Sequence, residues 1–80
     1  MPITIAPIEV NLVIIKIMIT DAKTKKHLED IGIAVNSSIK ILSRNSGNCI
    51  IVYKGGRLAL DYNLSKSIFV MIDKEDSEEK

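Results

Sequence analysis

The sequence has no tryptophan, one phenylalanine and two tyrosines among 80 residues. Small barrels that hold single-stranded nucleic acid stack the bases on several aromatic side chains, so this shortage argues against that class. The net charge of +1 supplies no electrostatic drive toward nucleic acid either. One cysteine, Cys49, allows no internal disulfide, which makes a reducing, cytoplasmic setting the expectation. His27 is the single histidine. Even together, His27 and Cys49 make a poor metal site, because zinc and iron want three or four protein ligands. The longest apolar run, Leu12 to Ile19, is broken by Lys16 and falls well short of the roughly 20 residues of a membrane helix. The start, Met1-Pro2-Ile3-Thr4, has neither the basic residues nor the cleavage site of a secretion signal.

What is abundant is isoleucine: fifteen, with five valines and six leucines. β-Branched side chains lose rotamer freedom in helices and suit a pleated surface, so the composition favours sheet. Leu12–Ile19 reads as a first strand with Lys16 pointing out and Ile15 and Ile17 pointing in. Thr24–Ile31 reads as a short helix with Thr24 as N-cap, Leu28 and Ile31 on one face and Gly32 as its left-handed stop. Ile39–Arg44 and Cys49–Lys54 read as two more strands, separated by the turn cluster Asn45-Ser46-Gly47-Asn48. Gly55-Gly56 reads as a two-residue hairpin loop leading into Arg57–Leu60. Asp61 is placed to cap a short helical turn through Lys66, and Ile68–Ile72 closes the fold as a fifth strand, with Phe69 in the core. The expectation is a mainly β domain over residues 1–72: a five-stranded, strongly bent barrel. One short helix follows the first strand, and a helical turn precedes the last. Residues 73–80 are expected to form a disordered acidic tail.

Charge divides along the same boundary. Residues 1–72 hold nine basic and five acidic side chains, a sum of +4, and residues 73–80 hold five acids and two lysines, a sum of −3. No catalytic constellation appears. The carboxylates Glu29, Asp30 and Asp61 are scattered, Gly55-Gly56-Arg57 lacks the setting of a phosphate-binding loop, and His27 reads as a solvated residue that could pair with Asp21 or Asp30. No cofactor and no enzyme activity are expected. What remains is a surface for a protein partner. Tyr53, Arg57, Leu58 and Tyr62 have interface character if Leu58 is exposed, whereas Leu58 and Leu60 both in the core would remove it. Oligomeric state is left open.

The run Leu28-Glu29-Asp30-Ile31-Gly32-Ile33, then Ile39-Lys40-Ile41-Leu42, Gly56-Arg57-Leu58-Ala59-Leu60 and Ile68-Phe69-Val70, resembles the ferrous iron transport protein A (FeoA) family in order and spacing. The resemblance implies an SH3-like barrel and a cytoplasmic accessory role beside the membrane ferrous-iron transporter FeoB, which carries a GTP-binding domain. It also implies kinship with a barrel of iron-dependent repressors. That leaves an alternative: a repressor-like regulatory barrel with weak transition-metal binding. Family glycines are absent near Ile8, Asn11 and Asn36. Asn tolerates positive φ, so Asn36 and Asn11 are expected to hold such turns, while the turn at Ile8 takes another shape.

Overall fold

Alternating isoleucines drive most of the architecture. The computed structural model describes residues 1–74. Five strands, β1 (Asn11–Ile17), β2 (Ser38–Asn45), β3 (Asn48–Tyr53), β4 (Gly56–Leu60) and β5 (Ile68–Ile72), form one antiparallel sheet in the order β4-β3-β2-β1-β5. Helix α1 (Ala22–Ile31) follows β1, and α2 (Tyr62–Ser67) links β4 to β5. The sheet curls so that Leu12, Ile14, Ile39, Ile41, Ile51, Leu60, Ile68 and Val70 point into one core. Each such side chain contributes about 1.5–3 kcal/mol by leaving water. This is the mainly β, SH3-like arrangement expected.

Two bulges correct the strand phases. Ile14 pairs with Val70 and Lys16 with Phe69, which leaves Ile15 as the extra residue in β1. Ile15 is therefore turned out and 45% exposed, not buried, while Ile14 is fully buried. A second shift falls at Leu42, between Ile41 and Ser43. Phe69 is also corrected: it alternates with the buried Ile68 and Val70 and so lies half-buried on the outer face.

α1 begins two residues earlier than expected. Its N-cap is Asp21, not Thr24: the carboxylate accepts from the Thr24 N–H at 3.2 Å and from the Thr24 hydroxyl at 2.5 Å. Its other end is a Schellman motif. Gly32, at φ 97°, donates to Glu29, and the Ile33 N–H reaches back to Leu28. The exposed Lys26–Asp30 pair at 3.3 Å contributes about 0.3–0.5 kcal/mol.

The hairpin loops also shift. The β3–β4 turn is Lys54-Gly55, at φ 51° and 80°, while Gly56 already pairs with Tyr53 in the ladder. A Gly55-Gly56 loop would set Lys54 opposite Arg57, like charges face to face; the observed register puts Val52 there instead. Asn36 holds a left-handed turn at φ 79°, as expected, but Asn11 sits extended in β1, and Glu9 takes the positive φ of 61°. That moves the tight turn beyond Ile8, where the Glu9 N–H donates to Ile41 at 2.7 Å.

The N-terminal segment gave no periodic signal, yet it completes the barrel. A 3-10 turn, Ile3–Ile5, buries Ile3 and leads to the buried Ala6. The Arg44 guanidinium donates to the carbonyls of Ile3 (3.1 Å) and Ala6 (2.8 Å), tying this turn to β2. Met1 exchanges hydrogen bonds with Val70, at 3.0 and 2.7 Å, and Pro2 bridges to Phe69, so the outer edge of β5 is covered at these two residues. Of the expected disordered tail, Asp73 donates its N–H to Asn11 at 2.9 Å, and residues 75–80 lie outside the described part.

Candidate partner-docking surface

The four candidate interface residues do not meet in one patch. Tyr53 alternates with Cys49 and Ile51 on the inner face of β3, is only 8% exposed, and donates its hydroxyl to the Gly32 carbonyl. It locks the end of α1 to the sheet. Tyr62 opens α2 at the opposite end of the β3–β4 hairpin, 51% exposed, with its ring against Gly47 and the Lys66 ammonium 5.1 Å from its centre. Leu58 faces inward opposite Ile51 and packs against the core from the rim, half-buried. Arg57 alone of the four presents its charge to solvent on β4.

The sheet brings Arg57 to different neighbours. Lys40, Val52 and Arg57 are consecutive cross-strand partners on the outer face of β2, β3 and β4, and Ser43, Ile50 and Ala59 form the next row. Directly opposite residues in antiparallel strands project from the same face. Lys54, exposed at the hairpin tip, holds its ammonium 5.4 Å from the Tyr53 ring centre. Leu42, Ile50 and Leu58 line a shallow hollow together with Glu9 and Arg57. Two cations, Lys40 and Arg57, over a partly apolar face have the make-up of a docking surface for an acidic partner, while the Lys54 ammonium lies beside Gly32 at the end of α1. Lys40 was missed in the sequence because its place on the same face as Arg57 depends on strand register.

A second hollow, about 630 Å³, lies between α1 and α2. Met18, Ile19 and Leu64 line it together with Lys23, His27 and Lys66. His27 is exposed and pairs with neither expected acid: Asp30 meets Lys26, and Asp21 caps α1. Asp21 is exposed, and its carboxyl is held below the usual 3.8 first by the Thr24 hydroxyl and then by the Thr24 N–H. Cys49 is buried, as a small apolar filler would be. Among the described residues no three His, Cys, Asp or Glu side chains gather to hold a metal ion, and no helix is long and apolar enough to cross a membrane.

Comparison with known proteins places this fold. No curated protein matches by sequence. Among solved structures, a manganese-dependent transcriptional repressor in complex with manganese superposes with a TM-score of 0.82 at 17% identity. The match covers 91% of this chain and 36% of the repressor, so the chain spans about a third of that protein's length. An iron uptake regulatory protein (FeoA) gives 0.72 at 20% identity, over 88% of this chain and 92% of that one. The FeoA protein from Chlorobium tepidum gives 0.77 at 16% identity, over 90% and 70%. These identities speak for the fold alone. The sequence model of the FeoA domain, however, matches residues 1–72, the whole of the barrel just described, and the chain belongs to the FeoA domain family.

Proposed function

We propose that this chain is a non-catalytic, cytoplasmic accessory protein of bacterial ferrous-iron uptake that docks on the cytoplasmic GTP-binding part of the FeoB transporter. The observation that carries the reading is the family match across residues 1–72. The basic outer face of β2–β4 supports it by offering a partner unpaired charge beside apolar area. Arg57 is the central residue of that surface, with Lys40 beyond Val52 on the same face; Leu58 supports it from the rim.

Binding of the full chain to FeoB in lipid nanodiscs, with and without GTP, tests this. A complex that Arg57→Glu weakens is expected, and no complex in either nucleotide state removes the reading. A second reading, a regulatory barrel with weak transition-metal binding, is favoured by the likeness to the manganese-dependent repressor. Anaerobic calorimetry with ferrous iron separates the two: a stoichiometric heat supports metal sensing, and silence supports the adaptor.

A further inference from the structure

The two edges of the sheet are finished differently. The β5 edge is met at Phe69 and Val70 by the chain's own Met1 and Pro2. β4 is the other end of the strand order, and among the described residues no further strand pairs with it. It has no proline, its register with β3 is unbroken over five pairs, and Gly56, Arg57 and Ala59 are exposed. Residues flanking a two-residue hairpin turn exchange both ladder bonds, and bonding then alternates along the strand. With Tyr53–Gly56 as that flanking pair, Gly56, Leu58 and Leu60 bond to β3. Arg57 and Ala59 then direct their N–H and C=O groups off the open edge. Edges of this kind are templates for an added strand.

Charge narrows the occupant. Arg57 stands on this edge and Lys54 at the turn that leads into it, while Lys40 lies two strands in on the same face as Arg57, and the Lys26–Asp30 ion pair involves none of them. Glu9 borders the hollow below Arg57 but is not within ion-pair distance of it. We propose that the open edge of β4 takes an added antiparallel strand from an acidic, extended segment of a partner protein. The segment exchanges main-chain hydrogen bonds with Arg57 and Ala59. Its residues opposite these two share their outer face, where a carboxylate meets Arg57. The alternate residues turn toward Leu58 at the rim and are therefore small and apolar. A second copy of this chain fits less well, because antiparallel β4–β4 pairing brings two Arg57 side chains to diagonal positions on one face.

The strand addition rests on the docking reading above and is tested apart from it. The probe is the capped peptide Thr-Glu-Val-Glu-Val-Glu-Thr, titrated into the isotope-labelled full chain and followed by amide shifts. Expected are shifts centred on Arg57 to Ala59, with an affinity that falls as salt rises. The same peptide N-methylated at its glutamates keeps its charges but loses the N–H groups facing β4, and is expected to bind about tenfold more weakly. In the Arg57→Glu chain, preference passes to the peptide with lysines in place of glutamates. The proposal is overturned by absence of shifts at Arg57 and Ala59, or by equal binding of the N-methylated peptide. It is equally overturned if dilution of the free chain shows β4 self-pairing, or if removing residues 75–80 shifts the same amides. FeoB binding with β4 amides undisturbed would sink the strand addition alone; peptide capture on β4 without any FeoB binding would sink the docking reading alone.

Discussion

Asp21 and the glycines show how single residues set the local geometry. The Asp21 carboxylate accepts two hydrogen bonds from Thr24, which favour its charged form and hold its folded pKa below the ordinary 3.8. A depressed folded pKa stabilises the native state above the unfolded value, and that contribution disappears as pH falls through the folded one. Amide protection at Thr24 and Lys25 is therefore expected to be constant above that range and to fall as acid is added below it. Asp21→Asn, which keeps a neutral acceptor, is expected to show no such decline; an equal decline in that variant would contradict the assignment. Gly47 and Gly55 form a second contrast. Both have positive φ, 85° and 80°, but a Cβ on Gly47 would run into the Tyr62 ring, and one on Gly55 would meet nothing within 4 Å. Gly55→Ala is expected to cost about 1–2 kcal/mol from the backbone alone. Gly47→Ala is expected to cost about 1–3 kcal/mol more, from the displaced ring. Equal losses in urea denaturation would show that Tyr62 does not rest on Gly47.

At the scale of elements, the strands were legible where apolar side chains alternate with polar ones, as in Ile39-Lys40-Ile41. They were legible too where a turn signal marks the end, as at Gly47 and Asp61. Reading failed where alternation vanishes. Leu12-Val13-Ile14-Ile15 carries no polar marker of face, so the bulge that expels Ile15 could not be placed. The N-terminal 3-10 turn left no trace either, since its anchor is Arg44, 38 and 41 residues away in sequence from the two carbonyls it holds. The docking surface was only half readable. Arg57 was found from its strand, whereas Tyr53 was drawn into the candidate patch by residue type although β3 turns it inward. Arg44→Met keeps much of the side chain's length and removes both donors. It is expected to lower stability by about 1–3 kcal/mol and to speed exchange at the Val70 N–H, which donates to Met1. Unchanged exchange at Val70 would mean that the N-terminal segment is held without Arg44.

For the whole molecule, the near-zero net charge conceals a division between a +4 barrel and a −3 C-terminal stretch. Within the barrel, strand register puts Arg57 and Lys40 on one face, with Arg57 on a sheet edge that no other strand among the described residues pairs. A cation beside apolar area on this edge suits the recognition of another protein that is proposed above. The most direct test of that account is ferrous-iron uptake by cells of the organism that encodes the chain, after deletion of its gene. Uptake is expected to fall, to return with the wild-type chain, and to return only in part with Arg57→Glu expressed at the same level. Uptake unchanged by the deletion would contradict a role in ferrous-iron transport.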